Sequence, residues 1–114
     1  MADLDKTYDE AVALKDGGQM QEAVAKLNEI LAVDESHVLA HSAMAVYLHR
    51  MGKEDESKQV ELWKKALEHA QKVAELAPDD PFSFTQLSVI NQRCGKIQEA
   101  EDAMERARQI QAGA

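Results

Sequence analysis

The feature that most constrains the fold is a spacing that recurs along the chain. Gly18 and Gly52 lie 34 residues apart, as do Ala66 and Ala100, whereas Gly52 and Gly95 are separated by 43 residues. These spacings agree if the repeating unit has 34 residues and nine additional residues lie between Gly52 and Ala66. Units of this length cannot bury an apolar face alone, so they fold by stacking on one another. We therefore expect an open stack of similar units rather than a closed globule.

The residues between the turn signals favour helices, because Ala, Glu, Gln, Lys, Leu and Met are abundant and no segment alternates as a strand does. Three glycines, Gly18, Gly52 and Gly95, follow helical stretches and are predicted to end them in the left-handed conformation. Ser36 and Asp80 are predicted N-caps. Short loops make sequential helices antiparallel. The six predicted helices are Asp3–Asp16, Gln19–Val33, His37–Met51, Glu54–Ala77, Pro81–Cys94 and Lys96–Gln111.

Two copies of one short motif carry a family resemblance. Residues 18–23 and 95–100 both read Gly, any residue, an apolar residue, Gln, Glu and Ala. With the 34-residue period, this resembles the tetratricopeptide-repeat (TPR) family. The resemblance implies an all-α, right-handed solenoid of three helix-turn-helix repeats, roughly 4–36, 37–79 and 80–113, in a single domain spanning 1–114. It also implies small residues where paired helices cross closely, at Ala11, Ala45 and Ser88 on the first helices and at Ala23, Ala66 and Ala100 on the second helices.

The nine-residue insertion is predicted to lengthen the fourth helix. Residues 53–59 contain no Gly, Pro or large apolar residue, and the acidic run 54–56 suits a helix N-terminus. An alternative is a projecting arm that contacts a partner.

The resemblance also implies that the first helix of each repeat lines a concave groove that binds a peptide or helix of another protein. Arg50 and Arg93 near one end are expected to hold a carboxylate by paired hydrogen bonds. One subset of the family grips a chaperone's terminal carboxylate with Lys, Asn and Arg, but the matching positions here carry Tyr8, Val12, Ala43, Phe82 and Gln86. That co-chaperone function is therefore disfavoured. The predicted groove residues are Tyr8, Val12, Lys15, Ser42, Val46, His49, Arg50, Phe82, Thr85, Gln86, Val89, Gln92 and Arg93.

Other kinds of function have little support. A formal net charge of −8 argues against binding nucleic acid, and no apolar run approaches the ~20 residues that span a bilayer. His37 and His41 share a helix face, but spacing fixes no further metal ligand beside them. A single cysteine, Cys94, suits a reduced thiol in the cytoplasm. We therefore expect no enzyme, metal or cofactor.

Self-association is the alternative to partner binding. The outward face of the last helix pair is predicted to lack a covering helix. This face includes Ile97, Ala103 and Ala107. A second copy could stack on such a face and form a homo-oligomer.

Overall fold

The computed structural model describes residues 3–113, which form six α-helices and no β-strand. Met1, Ala2 and Ala114, which the predicted domain includes, lie outside the described residues. None of the helices within 3–113 combines the length and the hydropathy needed to cross a bilayer. Outside the insertion, the predicted helix bounds agree with the observed ones to within two residues. The helices are α1 Leu4–Asp16, α2 Met20–Val33, α3 Val38–Glu54, α4 Gln59–Leu76, α5 Pro81–Arg93 and α6 Ile97–Gly113.

Each helix packs mainly against the helices that precede and follow it in the chain. The pairs α1–α2, α3–α4 and α5–α6 form hairpins, and the α2–α3 and α4–α5 contacts stack these hairpins on one another. The resulting slab measures 38 × 36 × 21 Å. This arrangement confirms the predicted all-α solenoid of three helix pairs.

Small side chains lie where the paired helices cross, as predicted. Ala11, Ala23, Ala45 and Ala66 are fully buried, which lets the backbones of paired helices approach closely. In the last pair, the hydroxyl of Ser88 donates a hydrogen bond to the backbone carbonyl of residue 100 at 2.7 Å. These contacts fix the geometry of all three hairpins.

The outer face of α6 differs from the corresponding face of α2. Val24 and Leu31 of α2 pack against the core, whereas their counterparts 77 residues later, Glu101 and Arg108, are exposed. Charged residues thus replace the aliphatic residues that would receive another helix pair. The stack therefore ends in a polar surface.

One part of the self-association prediction was wrong. Ile97 is 54% exposed, but Ala103 and Ala107 are buried, because α6 turns them toward α5. Only one of the three residues predicted to be uncovered is therefore exposed.

The insertion lengthens both helices of the middle pair, rather than the fourth helix alone as predicted. α3 continues for four residues beyond Arg50, the counterpart of the last residue of α1. α4 begins four residues before Trp63, the counterpart of the first residue of α2. A 3₁₀ turn, Glu56–Lys58, joins the two helices. The carboxylate of Asp55 accepts hydrogen bonds from the backbone N–H and the hydroxyl of Ser57, which starts that turn and separates α3 from α4.

The three glycines predicted to end helices behave differently. Gly18 and Gly95 have positive φ values of 81° and 76° and follow α1 and α5, as predicted. Gly52 lies inside α3, so the prediction that it ends the third helix was wrong. Its role is to leave space for Trp63.

Trp63 lies directly against the backbone of α3. A Cβ atom at Gly52 would be 2.5 Å from Nε1 of the indole and 2.6 Å from its Cδ1. The indole Nε1 donates a hydrogen bond to the carbonyl of His49 at 3.0 Å, and Nε2 of Gln59 donates one to the carbonyl of Gly52, also at 3.0 Å. The start of α4 is thereby fastened to the end of α3.

One predicted N-cap is confirmed and one was wrong. The carboxylate of Asp80 accepts a hydrogen bond from the N–H of Phe82 at 3.0 Å, as predicted for the start of α5. At α3 the cap is His37 rather than Ser36, because Nδ1 of His37 accepts from the N–H of Ala40 at 3.1 Å. The helix therefore begins one residue later than predicted.

Candidate functional site

A small pocket lies between α3 and α5, the first helices of the second and third pairs. Its volume is about 230 Å³. Nε2 of Gln86 donates hydrogen bonds to the carbonyl and hydroxyl of Ser42 at 3.1 and 3.3 Å, which joins the two helices. We call this cavity the α3–α5 pocket. Its lining residues are Ala45, Val46, His49, Phe82, Thr85, Gln86, Val89 and Ile90.

The α3–α5 pocket brings together about half of the predicted groove residues: Val46, His49, Phe82, Thr85, Gln86 and Val89. Gln92 instead lines a separate cleft against α6, with Ile97 and Met104. The α1 residues Tyr8, Val12 and Lys15 do not line the pocket.

The predicted groove residues on α1 are half-buried, and two of them have partners within the fold. The Tyr8 ring lies 6.5 Å from the His37 ring, measured between centroids. The Lys15 ammonium is 3.0 Å from the Asp16 carboxylate and 5.9 Å from the centre of the Tyr47 ring. Much of the Lys15 charge is thus already compensated.

An apolar strip runs along α3 and α5. Leu39 and Phe82, which are counterparts 43 residues apart, are 58% and 56% exposed, and Val46 and Val89 are 40% and 41% exposed. Within each helix the two residues are seven apart and share a face. We call these four residues the apolar strip. Leu39 was not among the groove residues predicted from the sequence, although its offset of 43 residues from Phe82 could have identified it.

Three cations follow the apolar strip at the C-terminal ends of α3 and α5. Arg50 and Arg93 come one helical turn after the two valines of the strip, and Lys53 lies close by; all three are exposed. Within residues 3–113, no carboxylate lies within 4.0 Å of any of them. We call Arg50, Lys53 and Arg93 the basic end. It contrasts with the net charge of −8 on the whole chain.

His49 connects the α3–α5 pocket with the basic end. Burial lowers the pKa of His49, and the nearby positive charges of Arg93 and Lys53 lower that pKa further. Both effects favour the neutral form of the imidazole.

Two buried side-chain polar atoms in the described part of the chain have no hydrogen-bond partner, and both belong to residues lining the α3–α5 pocket. They are Oε1 of Gln86 and Nε2 of His49. Gln86 is only 7% exposed. Buried polar groups are almost always paired, so these two unpaired atoms distinguish the region around the α3–α5 pocket from the rest of the fold.

A pair of histidines joins α3 to α4 away from the pocket. Nε2 of His41 is 2.7 Å from the carbonyl of Glu35, and Nδ1 of His41 is 2.9 Å from Nδ1 of His69. Because a carbonyl only accepts, Nε2 of His41 carries the donated proton. When His41 is neutral, its Nδ1 accepts a hydrogen bond from His69.

The residues considered as metal ligands or redox groups are His37, His41 and Cys94, and each has a different contact within the fold. His37 caps α3 and His41 faces His69, so the two do not converge on one point. Among residues 3–113, no group of three or more His, Cys, Asp or Glu is placed to hold a metal ion. Burial raises the pKa of the Cys94 thiol, whose Sγ lies 3.6 Å from the carbonyl of Trp63.

We expect the stability of the protein to fall as the pH drops below about 6.5. Burial lowers the pKa of His69 from 6.5, the nearby His41 lowers it further, and Glu68 partly opposes them. The folded state then binds fewer protons than the unfolded state below pH 6.5, so the contribution of His69 is complete above that pH and is lost as the pH falls. Urea unfolding at about pH 7.5 and about pH 5.5 checks this.

The variant His69→Gln provides the control for the pH experiment. Its urea midpoint should change less between the two pH values than that of the unaltered chain, with a residual change from His49, whose pKa is also lowered. An unaltered chain with the same midpoint at both pH values would refute the expectation.

Comparison with known proteins shows similarity in structure. No family model and no curated protein matches the sequence. MamA 41-end from Desulfovibrio magneticus RS-1 is 21% identical, with a TM-score of 0.78 over 95% of this chain and 56% of that one, so the chain spans little more than half the length of that matched structure. The translocator chaperone SycD of Yersinia enterocolitica type III secretion is 16% identical, with a TM-score of 0.79 over 96% of this chain and 76% of that one.

A third similar structure is the second TPR of Spaghetti (RPAP3), bound to the HSP90 peptide SRMEEVD. It is 14% identical, with a TM-score of 0.78 over 94% of this chain and 91% of that one. At identities between 14% and 21%, these similarities show the fold alone. Together with the three stacked hairpins, they show that residues 3–113 have the fold of tetratricopeptide-repeat proteins.

Proposed function

We propose that the chain is a non-catalytic binding module that holds a segment of another protein in the groove along α1, α3 and α5. The observation that carries this proposal is the apolar strip, which is followed by a basic end that has no carboxylate partner among residues 3–113. Exposed apolar residues at matching positions of two repeats form a patch of the kind found at interaction sites. The reduced thiol of Cys94 supports a cytoplasmic location for this activity.

The dimensions of the groove define the partner segment. Leu39 and Arg50 are eleven residues apart on α3, which is roughly 16 Å at 1.5 Å per residue. That length matches about five residues of extended chain. The segment that fits has apolar residues against the strip and acidic residues against the basic end, where a guanidinium binds a carboxylate through two hydrogen bonds.

The similar structures support this class of function. Spaghetti's second TPR is bound to a peptide, and SycD is a chaperone of translocators. The ligand of Spaghetti is not carried over, because the positions matching the chaperone-peptide clamp carry residues such as Val12 and Phe82 instead of its cations and amides. We therefore propose a different acidic segment.

Self-association has less support than partner binding. Ile97 is exposed at the last pair, but Glu101 and Arg108 occupy the surface on which a further helix pair would stack. Burying these charges without partners would oppose the stacking of a second copy.

Reversing the two arginines of the basic end should abolish capture of a partner from a lysate of the source cells. In the variant Arg50→Glu/Arg93→Glu, each lost charge-assisted contact is worth roughly 1.5 kcal/mol, so recovery should fall at least about tenfold. The measurement is affinity capture with quantitative mass spectrometry. Circular dichroism verifies that the variant is folded.

The matched control makes the same change in charge on α6. Arg106→Glu/Arg108→Glu alters two arginines that the structure places against Phe84 and Glu105, away from the groove. This variant should retain the partner. Retention by Arg50→Glu/Arg93→Glu would refute the groove, and recovery of only further copies of the chain would favour self-association.

A further inference from the structure

We propose that a cleft between the first and the middle hairpin binds a short basic segment of another protein. The aliphatic stem of an arginine or lysine of that segment lies on an apolar floor, and its cationic head faces Glu22 and Glu54. The cleft has a volume of about 600 Å³, and we call it the insertion cleft. None of the predicted groove residues lines it, so it is a second surface, separate from the groove of the proposed function.

The nine-residue insertion supplies one wall of the insertion cleft. The opposite wall is the α1–α2 turn with the start of α2, residues 18–22. Half of the lining residues lie between Met51 and Leu62, the stretch that takes the place of the short turn 17–19 of the first hairpin. A hairpin of a plain 34-residue repeat has no residues with which to form this wall.

The floor of the insertion cleft is apolar. It consists of Leu62, which is 9% exposed and belongs to the core cluster, and of Met20 and Met51, which are half-buried against that cluster. Methionine is unbranched and adapts its shape to what packs on it. Arginine and lysine side chains lay their methylene groups on such surfaces while the charged head stays in water. A long basic side chain therefore fits this floor.

Carboxylates outnumber cations around the floor, since four acidic residues and two lysines line the cleft. One of the lysines, Lys65, is already paired with Glu61 at 3.2 Å. Glu22 and Glu54 are exposed, and within residues 3–113 no lysine, arginine or histidine nitrogen lies within 4.0 Å of either carboxylate. These two carboxylates complement a cationic ligand.

The spacing of the carboxylates favours an organic cation over a metal ion. In the described part of the chain, no three His, Cys, Asp or Glu residues converge closely enough to hold a metal. A guanidinium needs no such convergence, because it binds a single carboxylate through two parallel hydrogen bonds. The volume lies within the roughly 300–1,000 Å³ of sites that enclose a drug-sized ligand, so a few residues of peptide fit.

The last turn of α3 separates the two charge preferences of the molecule. Met51 and Glu54, three residues apart on one helix face, line the insertion cleft. Arg50 and Lys53 of the basic end precede them by one residue each and do not line it. A basic segment is therefore repelled at the groove and attracted at the cleft.

Three tripeptides that differ only in their basic side chains test the proposal. ¹H–¹⁵N correlation spectra of the full chain are recorded at low ionic strength during titration with acetylated, amidated arginine-leucine-arginine. It should shift the signals of Met20, Glu22, Met51 and Glu54, with a roughly millimolar dissociation constant. The peptide with neutral citrulline in place of arginine should bind at least about fivefold more weakly. A peptide with 2-amino-3-guanidinopropionate, which keeps the charge but lacks two methylenes, should bind at least about threefold more weakly.

A matched pair of variants locates the binding site. Glu22→Gln/Glu54→Gln removes the two unpaired carboxylates and should weaken binding of the arginine peptide at least about fivefold. Glu99→Gln/Glu101→Gln makes the same change in charge outside the cleft, and Glu99 is the counterpart of Glu22, 77 residues later. This control should bind as the unaltered chain does. All four positions are exposed, and the spectra themselves verify that both variants are folded.

The outcomes separate this inference from the proposed function. Equal affinity for the arginine and citrulline peptides, equal losses in the two variants, or shifts confined to residues outside the cleft would each overturn the proposal. Shifts of the cleft residues on raising the protein concentration without peptide would identify a second copy as the occupant and would also overturn it. If the arginine peptide binds as described but Arg50→Glu/Arg93→Glu still captures a partner, the cleft remains and the groove falls.

Discussion

Replacing Leu27 with alanine should lower the free energy of unfolding by about 3 kcal/mol. Leu27 is fully buried in the core cluster on α2, a helix that packs against both α1 and α3, so truncation leaves a cavity in the core. Urea unfolding followed by the fluorescence of Trp63, the only tryptophan in the chain, measures the loss.

The matched control lies on α6. Met104 is the counterpart of Leu27, 77 residues later, but it is only half-buried, since no helix pair packs on the outer face of α6 within residues 3–113. Met104→Ala should cost about 1 kcal/mol or less, since the remaining atoms stay partly solvated. Similar losses for Leu27→Ala and Met104→Ala would contradict the expectation that burial decides the cost at these two matching positions.

Replacing Gly52 with alanine should destabilise the protein by about 2 kcal/mol, within the range for overpacking a core. Alanine normally stabilises a helix interior by roughly 0.5–1 kcal/mol over glycine, but here its Cβ would lie 2.5 Å from Nε1 of Trp63. The indole cannot easily move aside, because it donates a hydrogen bond to the carbonyl of His49. Urea unfolding measures the loss, and a shift in Trp63 emission reports the displaced ring.

Gly113→Ala provides the control for Gly52→Ala. Gly113 is the last residue of α6, and an added Cβ there would meet no atom within 4 Å. This variant should be neutral or slightly more stable than the unaltered chain. A gain in stability for Gly52→Ala would mean that the helix preference outweighs the contact with Trp63, contrary to our expectation.

The fold was predictable because the residues that specify it recur at regular positions along the chain. The 34-residue period is carried by many positions, and small residues such as Ala23 and Ala66 mark every close crossing. The path of the insertion was not predictable from the same signals. It depends on the cap formed by Asp55 and on the packing of Trp63 against Gly52, and the spacing of residues specifies neither contact.

The position of the candidate site was predictable from the sequence, but the burial of its side chains was not. The repeat offsets placed Val46 and Val89 in one row, and the structure brings both to the α3–α5 pocket. The offsets do not indicate how deeply a side chain is buried, so Gln86, which is nearly inaccessible, could not be distinguished from exposed residues of the groove. The contact between His41 and His69 joins different helices and has no signature in the sequence.

The division of the insertion between two helices determines where the chain tolerates changes in length. Each helix of the middle hairpin gains four residues, close to one turn and about 6 Å, and the turn Glu56–Lys58 at the tip of the hairpin is exposed. Residues below the tip therefore keep their orientation toward the adjoining hairpins. We expect the exposed turn Glu56–Lys58 to accommodate further whole helical turns, a peptide tag or a fluorophore while the three-hairpin stack stays intact.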